Sequence, residues 1–216
     1  KKSIFVLKNL DKFSGLNHGD VMEQLINEGQ VDIFLLNIGE FEKEISKVQS
    51  EENSQVGAKL VNVGSVEKEE QESLITQEVI DMIIDKGQLG SLITHMESVP
   101  SIFHPYVFTK AQENELLDDV GINLGKFRSL TMNEIKILLD HEATSGSDSV
   151  SNCLSPELIN GEIDYMYIAN NYLNTGRLEF LAQNLHKYNN LTNEILKALM
   201  DKNEYYSIGN YLDAFI

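Results

Sequence analysis

With a single cysteine, Cys153, the chain has no internal disulfide to staple it, which fits a reducing compartment. Basic residues are scarce, 17 against 34 acidic ones, and Arg128 and Arg177 are the only arginines. Nucleic-acid binding rests on clustered Lys and Arg that release counterions, and no such cluster occurs, so nucleic acid is not an expected partner. Long apolar runs are missing too. Stretches such as Ile33–Leu36 are far too short to cross a bilayer, so no membrane insertion is expected. The early apolar run Ile4–Leu7 is followed by no small-residue cleavage site, so a signal peptide is not expected either. These absences give the expectation of a cytoplasmic protein, bacterial or, for a secreted effector, in a host cytosol. The Asn, Ile and Lys content fits an AT-rich bacterial genome.

Catalytic signatures are equally sparse. His141–Glu142 begins like a zinc-protease motif, but Ser145 stands where the second histidine is needed. "GSDS" at 146–149 lacks the flanking glycines of a nucleophile elbow, and there is no phosphate-binding glycine loop. His18, His95, His104 and His186 lie far apart, none with a second His or Cys at ligand spacing. Asp118–Asp119 read as a solvated pair, and the sequon at Asn190 is better read as leading into a helix cap at Thr192. The expectation is no enzyme, no metal and no cofactor.

What the chain does contain is one phrase written several times. "NLDKFSGL" at 9–16 returns as "NLGKFRSL" at 123–130 and "NLHKYNNL" at 184–191. Around it, four stretches align without a gap: 21–41, 79–99, 168–188 and 195–215, the last two starting 27 residues apart. Their first column is Val21, Val79, Ile168 and Ile195. Four and five positions on stand Leu25–Ile26, Ile83–Ile84, Tyr172–Leu173 and Leu199–Met200, the spacing of one face of a short helix. Gly29, Gly87, Gly176 and Asn203 follow, residues that tolerate the left-handed backbone ending a helix. A second ladder then steps by 3, 4 and 3: Val31, Phe34, Ile38 and Phe41, with Leu89, Leu92, Met96 and Val99 in the next copy. Leu178, Leu181, Leu185 and Tyr188 continue it, as do Tyr205, Ile208, Leu212 and Phe215, and the spacing predicts a second helix of about three turns. A hairpin this small cannot bury both stripes alone, so neighbours must stack.

The fold expected is therefore all-α, an α-solenoid of stacked helical hairpins forming a single repeat domain over 1–216. Thr131 with Glu134 has capping-box spacing, Thr192 reads as an N-cap, and Ser155–Pro156 as N-cap plus first helical residue. Residues 42–77 fit no unit and are read as irregular; Ile135–Asp140 reads as the first helix of a unit that runs into an inserted loop at 143–155, and 107–127 matches a unit only at its end. Ser3–Phe13 reads as a second helix lacking its first, so the chain is expected to be a piece of a longer array, with self-association through its ends.

The hairpin pattern resembles bacterial α-helical repeat arrays with a period of about 28 residues. More distantly, the "NEGQ"-type turn is similar to the repeats of transcription-activator-like effectors, and HEAT-type solenoids are an equal analogy for the fold. In the effector family two turn residues read a base, which would fall near Asn27–Glu28, Asp85–Lys86 and Asn174–Thr175. The formal net charge of −17 and the missing phosphate-contacting basic residues depart from that pattern. The functional expectation is a non-catalytic scaffold for protein–protein interaction that binds a protein or peptide, with a basic partner favoured if the acidity is more than solvation. The partner-binding residues expected are the polar ones at the turns: Glu28, Gln30, Lys86, Gln88, Thr175, Arg177, Lys202 and Glu204. The alternatives are a targeting or substrate-recruiting region of an enzyme, and a modular nucleic-acid-binding array.

Overall fold

A computed structural model of the chain describes residues 18–43, 73–188 and 191–215. The described residues are mostly helical and contain no β-strand, only the isolated parallel bridges of Leu130 with Ile159 and Leu191 with Phe215. None of their helices is long and apolar enough to cross a membrane. The phrase at 9–16, the half-unit at 3–13 and most of the irregular stretch 42–77 lie outside the described residues. By its internal contacts the chain divides into two compact units, Lys1–Phe103 and His104–Ile216.

The first unit contains helices α1 (His18–Asn27) and α2 (Val31–Leu36), then α3 (Gln77–Asp85) and α4 (Leu89–Thr94). Helix α1 pairs with α2 and α3 with α4, and α2 lies against α4. The aligned columns explain the pairing, because Val21, Leu25, Val31 and Phe34 are buried, as are Val79, Ile83, Leu89 and Leu92. Polar ties join the two hairpins. The Gln88 side chain donates to the Ile26 carbonyl at 2.8 Å, and the Ser98 hydroxyl to that of Leu35 at 3.3 Å. His95 Nε2 meets the Asp32 carboxylate at 3.3 Å.

The second unit runs through α5 (His104–Glu113), α6 (Leu117–Ile122), α7 (Met132–Ser145) and α8 (Ser149–Cys153). It continues with α9 (Tyr165–Thr175), α10 (Leu178–Gln183), α11 (Asn193–Asp201) and α12 (Tyr205–Asn210). First helices touch first helices, α7 against α9 and α9 against α11, while α6 touches α8 and α10 touches α12. The shared apolar columns lie in these seams, with Ile135, Leu139, Ile168, Tyr172, Ile195 and Leu199 all buried.

Each of the six described hairpins turns through one left-handed residue. These are Gly29 (φ +74°), Gly87 (+70°), Glu115 (+60°), Gly146 (+76°), Gly176 (+76°) and Asn203 (+63°). The geometry completes two hairpins that the sequence matches only in part. Residues 107–127 belong to a full unit, α5 and α6, whose turn carries Glu115 in place of glycine. The stretch 143–155 is not an inserted loop. It is the end of α7, a turn through Gly146, and the short α8.

The second helices depart from the three-turn expectation. Each is six residues or fewer, and in most units a 3₁₀ turn follows, as at Met96–Ser98, Leu124–Lys126, Leu185–Lys187 and Leu212–Ala214. An extended residue then ends the unit: Val99, Phe127, Tyr188 or Phe215. The phrase "NLxK(F/Y)" spells this ending. The side-chain amides of Asn123 and Asn184 donate to the carbonyls of Asp119 (3.0 Å) and Phe180 (2.8 Å) and close the α-helix, while Phe127 and Tyr188 turn inward. Ser155–Pro156 likewise opens a 3₁₀ turn, Pro156–Leu158, and not an α-helix.

At the helix starts, the Glu134 carboxylate accepts both the N–H of Thr131 (2.5 Å) and its hydroxyl (2.9 Å), and the Thr192 hydroxyl accepts the N–H of Ile195 at 3.5 Å. One column is less buried than its spacing implies, since Ile84 and Leu173 are only half-buried and Met200 is exposed. In the last hairpin Tyr205 and Leu212 are 57% and 61% exposed, although their counterparts Leu178 and Leu185 are buried.

Candidate functional site

The turns carry the expected binding residues, and in the first unit two of them border one groove. Asn27, Glu28 and Gly29 form one wall, Lys86, Gly87 and Gln88 the other, with Gly90 and Ser91 extending it onto α4. The left-handed backbone at Gly29 and Gly87 favours residues without a Cβ penalty, and that choice strips side chains from the groove. A Cβ placed at Gly90 would meet nothing within 4 Å, so the backbone there is open to an incoming chain. Gln88 bonds across to Ile26 and fixes the two turns side by side. Glu28 is held from below by Gln24 Nε2 at 2.8 Å, and Lys86 stands exposed opposite it. An open, polar groove with one acidic and one basic wall offers hydrogen bonds to a peptide backbone and a place for charges of either sign.

The other expected residues have different situations. Gln30 is half-buried at the start of α2, and its buried Oε1 has no hydrogen-bond partner among the described residues. The Thr175 hydroxyl donates to the Asn171 carbonyl one helical turn back, at 2.8 Å. Arg177 is largely consumed by the fold. Its Nε donates to Asp148 Oδ1, and its Nη2 to the carbonyls of Glu142 and Ser147, each at 2.8 Å. Lys202 is exposed and Glu204 half-exposed at the last turn, outside the groove.

Arg177 is part of a buried polar cluster that sequence reasoning did not find. Glu142 is 1% exposed, and its carboxylate accepts the N–H groups of Val150 (2.8 Å) and Ser151 (3.1 Å) and the Ser151 hydroxyl (2.6 Å). It thereby satisfies the open backbone donors at the start of α8, which is too short and polar to stand on apolar packing alone. Nearby in sequence, His141 Nε2 meets the Asp118 carboxylate at 3.1 Å, so Asp118 is paired and not merely solvated. The Asp140 carboxylate accepts the Tyr167 hydroxyl at 2.6 Å, and burial together with that carboxylate pushes the Tyr167 phenol up to about 12. His104 is buried, and its Nδ1 accepts the Arg128 N–H at 2.6 Å. Among the described residues no group of three His, Cys, Asp or Glu side chains is placed to hold a metal.

A second concavity lies in the second unit, where the connection from α8 to α9 is longer than the others. Its apolar wall is Leu154, Ile159, Ile163 and Ile168. Three tyrosines, Tyr165, Tyr172 and Tyr188, line its interior, and Asn184, Lys187, Ser151 and Ser155 complete it. Tyr165 and Tyr188 meet edge to face with ring centroids 5.7 Å apart. Burial and the neighbouring tyrosines hold the Tyr188 phenol well above its ordinary range, so it is a neutral donor. The sequence signal for this pocket is the set Leu154, Ile159 and Ile163, apolar residues that belong to no repeat column.

No protein-family model, no curated protein and no solved structure matches the chain.

Proposed function

We propose that the chain is a non-catalytic repeat scaffold, a solenoid of short helical hairpins that binds a protein or peptide along its turns. The hairpin seams within each unit and the common left-handed turn support the solenoid reading, in the manner of the short-period bacterial repeats that the sequence resembles. The observation that carries the binding reading is the groove shared by the turns at Gly29 and Gly87. It is glycine-lined, open and walled by Glu28 and Lys86, features suited to an extended polypeptide. The acidic surface, with a formal net charge of −17, favours partners with basic residues and speeds their encounter.

Peptide selection against the full chain tests this. Selected peptides should carry basic residues and lose binding to Gly90→Gln, which fills the groove where space is open, while the melting temperature stays unchanged. Failure to enrich any peptide, or enriched peptides indifferent to both Gly90→Gln and Lys86→Ala, would overturn the assignment.

A further inference from the structure

Glycine follows asparagine at one place in the chain, Asn160–Gly161, and the fold leaves that pair in the open. It lies in the connection from α8 to α9, after the 3₁₀ turn Pro156–Leu158 and before Asp164, the N-cap of α9. Asn160, Gly161 and Glu162 are all exposed. The backbone is anchored just ahead of the pair, where Leu130 donates its N–H to the Leu158 carbonyl (3.0 Å) and accepts that of Asn160 (2.6 Å). Beyond this anchor, neither the Asn160 side chain nor the Gly161 N–H makes a hydrogen bond with a described residue. Other asparagines are placed differently. The side-chain amides of Asn37, Asn114, Asn123, Asn152 and Asn184 each donate to the carbonyl four residues back, and each is followed by a residue with a side chain.

The carboxamide carbon of an asparagine can close a five-membered ring with the backbone nitrogen of the next residue. At Gly161 no Cβ stands in the way, and its φ of +109° is a conformation that residues with side chains rarely adopt. We infer that Asn160 is a site of spontaneous covalent modification, deamidating through a cyclic imide to isoaspartate and aspartate. The Gly161 nitrogen gives up its proton to water or hydroxide and bonds to Asn160 Cγ. The carbon–nitrogen bond of the carboxamide breaks, and that nitrogen takes up a proton and leaves as ammonia. Water then opens the imide at one of its two carbonyls. Attack at Cγ gives aspartate, and attack at the main-chain carbon gives isoaspartate, in which the chain runs on through Cβ and Cγ. Water is consumed, ammonia is released, and nothing is oxidised or reduced. Either product adds a negative charge to an already acidic chain. Isoaspartate also lengthens the main chain by one carbon and bares a carboxylate that S-adenosylmethionine-dependent carboxyl methyltransferases can esterify. The Asn160 N–H lies ahead of the inserted carbon, so the tie to Leu130 holds and the slack falls on the approach to α9.

The test is to incubate the full chain at neutral pH and physiological temperature, folded and in urea. Peptide mapping by mass spectrometry locates the change of amide to acid, and enzymatic methylation from labelled S-adenosylmethionine counts isoaspartate. The peptide containing Asn160 should convert before that of any other asparagine and should accept the label. Its rate in the folded chain should lie within about tenfold of the unfolded rate, a barrier difference below about 1.4 kcal/mol. Asn160→Gln, whose ring would be one atom larger, should slow conversion at this position by about tenfold or more. Its melting temperature should match that of the unsubstituted chain, because the side chain is exposed. Three results would each sink the inference: first conversion at another asparagine, a folded rate more than about tenfold below the unfolded one, or an unchanged rate in Asn160→Gln.

Discussion

At the α3/α4 turn Gly87 (φ +70°) is followed by Gln88, and at the α9/α10 turn Gly176 (φ +76°) is followed by Arg177. The backbones are alike, and in both the residue after the glycine starts the second helix and reaches back to the preceding hairpin. Gln88 makes one bond, to the Ile26 carbonyl, and leaves an open groove between its turn and the one before. Arg177 makes three, to Asp148 and to the carbonyls of Glu142 and Ser147, and closes its turn down on the other. The repeat thus prescribes a backbone conformation at the turn, while the side chain that follows decides whether the turn is a surface or a clamp.

Removing the clamp should have the largest effect. Arg177→Ala leaves the Ser147 carbonyl without its donor and takes one donor from that of Glu142, which keeps the Gly146 N–H at 3.0 Å, and is expected to destabilise the second unit by about 2 kcal/mol, read from urea unfolding. The Asp148 ion pair contributes little of this, because that carboxylate is 51% exposed and screened by water. Arg177→Lys should recover only a minor part, since an ammonium cannot span the three acceptors of the guanidinium fork. A loss below about 0.5 kcal/mol would mean that the turn stands without its arginine, and the contrast with Gln88 would vanish.

Gln88→Ala should cost less, about 1 kcal/mol, since one neutral bond from a half-buried amide to the Ile26 carbonyl is lost. Its more telling readout is local. Amide exchange at the turns containing Gly29 and Gly87 should quicken, because the tie between the two hairpins of the first unit is cut, while exchange in the second unit stays as it was.

Much of this architecture was legible in the sequence, and the exceptions share a cause. The aligned columns name core residues correctly wherever packing alone decides, as at Leu25, Ile83, Leu181 and Ile195. The second helix of the α7/α8 hairpin was missed because "SVSNC" has almost no apolar stripe and is held instead by a buried carboxylate. Glu142 reads as surface in any hydrophobicity pattern, and the donors that make its burial tolerable come from eight and nine residues further on. Arg177 was placed among the binding residues because a polar turn residue ordinarily faces water, and the contact with Asp148 spans 29 residues that no local pattern connects. Conversely, Glu28, Lys86 and Gln88 do line one groove, because their neighbours at those turns are glycines that reach for nothing.

The other partly matched hairpin, α5/α6, yields the smallest expected effect and the sharpest check on the turn itself. Glu115 holds φ +60° at the position that glycine occupies in four of the six described turns, and it is exposed, so its side chain offers no packing in return. A left-handed backbone costs a residue with a Cβ roughly 1–2 kcal/mol, partly offset in a glycine variant by the greater freedom of its unfolded chain. Glu115→Gly should therefore stabilise the second unit by about 0.5–1 kcal/mol. Asn203→Gly, at φ +63°, should change stability by less than about 0.5 kcal/mol, because asparagine already tolerates this conformation. If the two variants shift the unfolding midpoint equally, the left-handed turn is not what distinguishes these positions. If Glu115→Gly alone gains, the turn conformation is the common requirement of every hairpin, and the identity of the residue holding it is a separate choice.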